Sequence, residues 1–478
     1  MPITKFTAAL RSLALGLFAA LAPASLAEPA APAAPAQKPK QPNIILILSD
    51  DCGYADFGFQ DVVAPDMKGR TPAMDALAKA GTVFTQAHSS GLVCSPTRAG
   101  LMTGRYQQSF GHENNLPAGS KLGLPLTETT LPQRLAQLGY TTEAFGKWHL
   151  GYEPAYHPNA RGYGHFYGFL QGSRSYHPYG DKVSANHVFL DNRQATPETG
   201  YVTDRIGDAA VAGILRHAKE GKPFFQYVAF SAAHGPLQPR HEDADWVAAL
   251  PAKGGRAKYI GLMKGLDENV AKIVAAVNKA GIADNTLIVL TNDNGGQTQV
   301  GANNGILRGH KGEIWEGGSR VPMVAFWPGH VPAGARIGET VTTLDLPPTL
   351  LDAAGMGAPP ENFDGASLLP RLTGKIEKLP ETPHFWRMGG PKANASVKLG
   401  SLKLVQERHD GQSTPRLFDL AADPSEKNDL AAARPQDVKR LAPLLAAWEK
   451  TLPKPLWGSG DNADDAAETS AKKGRKKP

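Results

Sequence analysis

Apolar positions fall along the chain in blocks of two kinds. Asn43-Ile-Ile-Leu-Ile-Leu-Ser49 is a continuous apolar run of strand length, and Asn285-Thr-Leu-Ile-Val-Leu-Thr-Asn292 is a second. A run without polar alternation suits a parallel strand covered on both faces. Thr141–Phe145, Pro223–Phe230 and Val321–Trp327 read as further strands, and Val83–Gln86 as a short one. Between them the spacing turns helical. Thr71–Gly81 carries a Thr cap, a Pro at the first position and a Gly exit; Leu131–Leu138, Thr203–Ala218, Tyr259–Ala280 and Thr343–Ala354 follow the same period. Alternation of strand and helix predicts an α/β fold, a large mostly parallel central sheet flanked by helices. From Tyr152 to Tyr201 the chain is rich in Gly, Tyr, His, Pro and Asn without a period, as expected of an ordered insertion that shapes a ligand site.

The pattern changes after Pro383. Val397–Leu399, Leu402–Glu407 and Pro415–Asp419 read as short antiparallel strands, and Gln436–Lys450 as a closing helix. A main domain over 43–383 is therefore expected, followed by a small C-terminal α+β subdomain over 384–455 with a short antiparallel sheet. Residues 456–478 read as a disordered basic tail. At the other end, Lys5 and Arg11, the apolar Leu13–Leu21 and Ser25-Leu-Ala27 have the order of an export signal over 1–27. An Ala/Pro linker over 28–42 comes next. The apolar core of the signal falls short of the ~20 residues of a membrane span. The expectation is a periplasmic or secreted protein that is not integral to a membrane.

Composition narrows the function classes. The formal net charge of +6 resides in Lys5, Arg11 and the five cations of Lys472–Lys477, which leaves a near-neutral body. Such a distribution lacks the basic stripe of a nucleic-acid binder, so no nucleic acid is expected as partner. Two cysteines, Cys52 and Cys94, cannot build a disulfide framework or a thiolate zinc site, though one Cys52–Cys94 bridge stays open.

Chemistry collects at strand ends. Asp50-Asp51, Lys147 with His149, His234, and Asp293-Asn294 each follow a predicted strand, and in a parallel sheet those ends share one edge, where ligands bind. Asp50, Asp51, Asp293 and Asn294 offer oxygen ligands only, which suits Ca²⁺ or Mg²⁺ and leans to calcium. Arg98, Lys147, His149, His234 and Lys311 add more cationic groups than those acids need, which implies an anionic substrate. Either histidine could serve as the acid for a leaving oxygen. Cys94 precedes Pro96 at a helix start, with Arg98 one turn on, so it reads as a nucleophilic thiolate at a positive helix end. Asp293 is expected to be removable without unfolding, since the strand beneath it is buried on its own account.

The run Cys94-x-Pro96-x-Arg98 with Leu101-Met-Thr-Gly-Arg105 resembles the signature of the type I, formylglycine-dependent sulfatases, relatives of alkaline phosphatase. Asp50-Asp51-x-Gly53-Tyr54, Gly146-Lys-Trp-His-Leu-Gly151, Asn292-Asp-Asn-Gly295, Gly309-His-Lys311 through Pro322, and Leu417-Phe-Asp-Leu-x-x-Asp-Pro424 resemble further blocks of that family, in its order. Thr97 stands where Ser is also common, and Cys52 where many members carry an apolar residue. The resemblance implies an alkaline-phosphatase-like fold and conversion of Cys94 to formylglycine by a maturation enzyme. Its hydrate would attack sulfur, release the alcohol and then expel sulfate. It further implies that Asp50, Asp51, Asp293, Asn294 and residue 94 hold one Ca²⁺ and that Arg98 and His149 support the hydrate. Lys147, His234 and Lys311 would bind sulfate, with His234 as the acid.

The expected function is a sulfuric ester hydrolase acting on a sulfated glycan, because the insertion offers Tyr156, Tyr163, Phe166, Tyr167, Tyr176 and Tyr179 among His157, Arg161, His165, Arg174 and His177. The alternatives are an arylsulfatase for small aryl sulfates, a phosphodiesterase or phosphonate monoester hydrolase on the same scaffold, and a non-catalytic protein that binds sulfated glycans.

Overall fold

The structure is a computed structural model that describes residues 41–180, 183–184, 187–357 and 362–458. The export signal, nearly all of the linker and the tail beyond 458 lie outside the described residues. In chain order the strands are β1 Asn43–Ser49, β2 Thr82–Phe84, β3 Ala87–His88, β4 Thr141–Lys147, β5 His165–Phe169, β6 Leu190–Asp191, β7 Gln194–Ala195 and β8 Phe224–Ala229. They continue with β9 Thr286–Asn292, β10 Met323–Phe326, β11 Ala335–Ile337, β12 Val341–Thr342, β13 His384–Arg387, β14 Ala395–Leu399, β15 Leu402–His409 and β16 Gln412–Asp419.

The large sheet has the order β11-β2-β10-β9-β1-β8-β4-β5-β6-β7. Its centre, β9-β1-β8-β4-β5, is parallel throughout, while β10 runs antiparallel to β9 and to β2, and β6 to β5. Alternation along β1 explains the two layers. Ile45 and Ile47 face the helices Val202–Glu220 and Gly254–Lys279, where Ile206, Ile214, Val270 and Ile273 close one core. Ile44, Leu46 and Leu48 face the other way, onto Leu101 and Met102 of the helix Cys94–Thr103 and onto Leu135 and Leu350. Each side chain of Ile44–Leu48 is 0% exposed, as a strand covered on both faces requires.

Charge is buried at one flank of this sheet. Glu143 on β4 meets His165 Nδ1 at 3.4 Å and His217 Nε2 at 3.1 Å, and Arg216 also binds it. Burial pushes the Glu143 carboxyl up, but hydrogen bonds from His165, His217 and Gln226 outweigh it and hold the group below the usual carboxylate range. Reciprocally, the hydrogen bond to Glu143 raises His165 against burial, and it raises His217 although burial opposes it there more strongly. A raised histidine contributes stability that is complete below its unfolded pKa of ~6.5 and is lost as pH rises through the folded value. Glu143→Gln should therefore cost about 3 kcal/mol near pH 6 and distinctly less near pH 8. Urea unfolding at both pH values checks this; an equal cost at the two would refute the pairing.

The four-stranded sheet β13-β14-β15-β16 is antiparallel throughout. Leu441 and Leu445 of the helix Pro435–Lys450 cover one of its faces. Trp386, Val405 and Phe418 on the other pack against Leu92, Ile314 and Trp315 of the large domain, and Trp386 Nε1 donates to Ser89 O at 2.8 Å. The small sheet thus braces the loop that leads to Cys94. Leu456 and Trp457, read as the start of a free tail, are instead held: Leu456 N donates to Gly111 O at 2.9 Å and Trp457 Nε1 to Asn115 O at 2.9 Å.

Candidate active site

Register sets the site. Ser49 of β1 pairs with Asn292 of β9, Leu48 with Ala229 of β8, and Ala229 with Gly146 of β4, so four strands finish at one level. Asp50 and Asp51 leave β1 there, Asp293 and Asn294 leave β9, Lys147 ends β4, and His234 follows β8 by five residues. Asp51 N donates to Asp293 Oδ1 at 3.3 Å, and Asp50 N to Ala232 O at 2.9 Å. Asp51 (φ 58°) and His149 (φ 59°) sit in the left-handed region, at a cost of about 1–3 kcal/mol each. Gly295 answers a different need. A Cβ there would lie 1.8 Å from Gly317 O, so only glycine lets the two chains approach.

Cys94 opens the helix Cys94–Thr103, which Gly104 ends in the left-handed conformation. Its Sγ lies 3.6 Å from Asp50 Oδ1 and 4.0 Å from Asp51 Oδ1. Burial pushes this thiol well above its ordinary value, Lys147 and Lys311 oppose that, and the charges of Asp50 and Asp293 add to it. Burial among carboxylates thus favours the protonated thiol at Cys94 and works against the expected thiolate. Cys52 is also a free thiol, its Sγ 3.6 Å from Asp50 O and Ala232 O.

One turn on, Arg98 donates from Nε and Nη2 to Asp293 Oδ2 at 3.1 and 2.8 Å, with Asp50 Oδ2 3.4 Å from Nη2. Lys147 Nζ donates to Asp50 Oδ2 at 2.6 Å and Lys311 Nζ to Asp51 Oδ2 at 3.0 Å. His234 Nε2 lies 3.4 Å from Lys311 Nζ and 3.5 Å from Asp51 Oδ2. Burial works to raise Asp50, but Lys147, His234, Arg98 and Lys311 together hold it below the usual carboxylate range. Asp293 is pushed up to about 6 by burial and then by Asp50, against Arg98 and Lys147. Three carboxylates thus face Arg98, Lys147 and Lys311 in a dry cluster with no net charge among these six groups.

The donor set fits a hard cation. Ligand atoms of Asp50, Asp51, Cys94 and His234 lie within 4.8 Å of one another, and Asp293 and Asn294 adjoin them. Asn294 Nδ2 donates to Asp51 Oδ1 at 2.7 Å, which turns Asn294 Oδ1 the other way, buried and without a hydrogen-bond partner among the described residues. An unpaired buried acceptor costs about 1–3 kcal/mol, which an oxygen-liganded cation would offset.

His149 is buried beyond Lys147. Its carbonyl accepts from Ser95 Oγ at 2.8 Å, and its ring faces Gly172, where a Cβ would come within 2.6 Å. The insertion is more structural than its composition suggested. Tyr163, Phe166 and Tyr176 are buried, Arg161 donates to Leu124 O and Glu128 O, and Arg174 pairs with Glu198. Tyr179 is 37% exposed, and its Oη accepts from Ser175 N at 2.8 Å. Residues that the sequence did not reveal support the site from behind. Tyr227 Oη accepts from Arg98 Nη1 at 3.4 Å, and Tyr176 Oη donates to Ser231 O and His234 O at 2.7 and 2.9 Å, fixing the His234 loop. Tyr227 had one signal, the period-two alternation of β8 toward Arg98; Tyr176 was read from the sequence as a face for a sugar, not as a support for the His234 loop.

The family model described as Sulfatase matches residues 42–356. The chain belongs to the sulfatase family. A second model, N-sulphoglucosamine sulphohydrolase, C-terminal, matches residues 310–447 of this sulfatase. Among curated proteins, the N-acetylgalactosamine-6-sulfatase of Canis lupus familiaris is 30% identical over 473 residues, covering 87% of each chain. The human arylsulfatase G is 31% identical, covering 77% of this chain and 74% of its own. A solved structure of Ps i-CgsB in complex with k-i-k-neocarrahexaose is 35% identical, covers 91% of this chain and 98% of its own, and superposes with a TM-score of 0.81. Among the described residues, no helix is long and apolar enough to cross a membrane.

Proposed function

We propose that this sulfatase removes sulfate from a glycan outside the cytoplasm, periplasmic or secreted, with Cys94 matured to formylglycine and Ca²⁺ held by Asp50, Asp51, Asp293, Asn294 and residue 94. The observation that carries the reading is a buried Cys94 side chain, its Sγ 3.6 Å from Asp50, inside a ring of three acids and three cations. A thiol so placed is a poor nucleophile but a well-placed precursor. Formylglycine supplies a geminal diol, one hydroxyl to attack sulfur and one to expel sulfate. Ca²⁺, when bound, polarises the ester's sulfate oxygens and stabilises negative charge on the attacking hydroxyl.

The chain's own residues do the rest. Lys147 Nζ and Lys311 Nζ, now on Asp50 and Asp51, turn to the sulfate oxygens. His234 Nε2, beside Lys311, gives its proton to the departing sugar oxygen. Arg98 holds Asp293 in place, and His149 supports the hydrate. Charge supports this division of labour: a dication added to a balanced cluster is matched by an anionic ester and an ionised hydroxyl.

A cavity of about 240 Å³ is lined by Leu92, Gly312, Glu313, Trp315 and, from the small subdomain, Met388 and Asn394. Two of its lining residues are near neighbours in the chain of site residues, Gly312 of Lys311 and Leu92 of Cys94, and we assign it to the sugar that bears the sulfate. Galactan and galactosamine sulfates are the first substrates to test, since relatives are named for a galactosamine sulfate and solved with a neocarrahexaose. Lys311→Ala should lower kcat/KM by about 10²–10³. An unchanged kcat/KM would remove Lys311 from the site. Paired kinetics on an aryl sulfate and an aryl phosphodiester test the reaction class, and faster turnover of the phosphodiester would overturn the sulfatase assignment of this centre.

A further inference from the structure

A second, larger cleft of about 610 Å³ lies where the large domain meets the four-stranded sheet. Its wall on one side is Gln86, Glu339 and Thr340; on the other it is His384, Lys398 and Ser401. None of its lining residues belongs to the acid and base cluster around Cys94. The volume falls in the range of sites for small organic ligands, about 300–1,000 Å³, and is far larger than an inorganic anion needs.

Lys398 is the unusual group in it. The residue is 1% exposed, and its polar partners among the described residues are Gln86 Oε1 at 2.9 Å and His88 Nε2 at 3.5 Å, an amide and an imidazole. The acids behind it are already taken: Glu316 binds Lys403, Arg320 and His88 at 3.1, 2.9 and 3.0 Å, and Glu426 binds Lys403 at 2.9 Å. Burial is the main cause that brings the Lys398 amine down to about 7; Glu316 opposes it, while Arg320 and Lys403 add to the fall and Glu426 resists it. His384, also on the cleft, is brought down to about 4 by burial and by Lys398, so it is neutral at pH 7. A buried amine without a carboxylate partner is a receptor for an anion that arrives from the open side. The rest of the lining carries Glu339 paired with Arg371 at 2.9 Å, Glu377, Lys378 and Glu381, and Thr340, Thr382 and Ser401 add hydroxyls, groups of the kind that bind sugar hydroxyls.

We propose that this cleft is a second saccharide site, separate from the catalytic centre, which takes an acidic sugar unit with its sulfate or carboxylate on Lys398 Nζ. The proposal rests on the glycan reading of the substrate. It gives the enzyme a hold on a polymer at a point other than the ester being cleaved.

The test uses the full chain carrying Lys311→Ala, which weakens the catalytic centre, alone and combined with Lys398→Met or Ser401→Trp. Ser401 is exposed at the cleft, so Ser401→Trp fills it without touching the buried charges. Calorimetric titration with galactose 6-sulfate, glucuronic acid, galactose and inorganic sulfate reads the site. The two acidic sugars should bind the Lys311→Ala protein at least about tenfold more tightly than galactose or inorganic sulfate do, and both added substitutions should weaken that by about tenfold or more. Binding should also weaken about tenfold between pH 6 and pH 8.5, because the free amine loses its proton near 7, whereas an ordinary lysine stays charged throughout. Equal binding of inorganic sulfate, indifference to both cleft substitutions, or an affinity independent of pH would each overturn the proposal. Turnover of a small aryl sulfate by Lys398→Met and Ser401→Trp in the otherwise native chain should match the unsubstituted enzyme. Its failure in the unsubstituted enzyme would count against the sulfatase reading, not against the cleft.

Discussion

Cys94→Ala lowers kcat/KM on an aryl sulfate by about 10⁴-fold or more and leaves the fold in place. The first half of that expectation follows from chemistry. If residue 94 supplies the attacking group, its removal leaves only charge stabilisation from Lys147, Lys311 and Arg98, and a missing nucleophile typically costs several orders of magnitude. The second half follows from packing. Cys94 is 1% exposed, but its Sγ touches carboxylates instead of filling an apolar core, so losing it costs about 1 kcal/mol and relieves a thiol from an acidic neighbourhood. Steady-state kinetics with thermal unfolding measure both. Retention of more than a tenth of the activity would mean that a different residue attacks. Peptide mass spectrometry of active protein adds an independent reading: residue 94 should have lost sulfur and two hydrogens and gained one oxygen, and an intact thiol in fully active enzyme would rule out formylglycine.

Asp293→Asn is expected to cost both activity and stability. From sequence, Asp293 looked removable without harm to the fold, because β9 is buried independently. The ion pair alters that expectation. Arg98 is 0% exposed, and Asp293 Oδ2 accepts two of its hydrogen bonds, so neutralising Asp293 leaves a buried guanidinium to share Asp50 with Lys147. Breaking a buried pair from one side costs about 3–5 kcal/mol. Activity should fall about 10³-fold or more, since the same carboxylate is a proposed calcium ligand. Adding Ca²⁺ should raise the Tm of the native chain, in proportion to the logarithm of its concentration above Kd, and leave that of Asp293→Asn unchanged. Equal Ca²⁺ shifts in the two proteins would place the ion elsewhere.

Lys398 and Glu143 show how far local pattern reaches. Both sit on strands whose existence the periodicity announced, yet nothing in the periodicity says that a lysine or a glutamate there is buried. Lys398 alternates with Val397 on a short strand, and that spacing does not say which face is covered. Lys398 is buried because Gln86 and His88 cover it, a contact between residues more than three hundred positions apart in the chain.

What the sequence by itself determined is the set of chemical parts and their common edge. Two continuous apolar runs imply a doubly covered parallel sheet, and residues that follow parallel strands must emerge on one side, so Asp50, Asp51, Lys147, Asp293 and Asn294 were neighbours before any coordinates were known. The helix at Cys94 was equally legible, from Pro96 and from the Gly104 exit. Only the tertiary structure decided ionisation and support. The Cys94 thiol is pushed toward its protonated form because distant strands bury it against Asp50, the insertion's Tyr163, Phe166 and Tyr176 are core because β5 joins the sheet, and Trp386 and Trp457 brace the site from the chain's far end. Each depends on how closely groups remote in sequence approach and how much water they exclude, and neither quantity is written in local spacing.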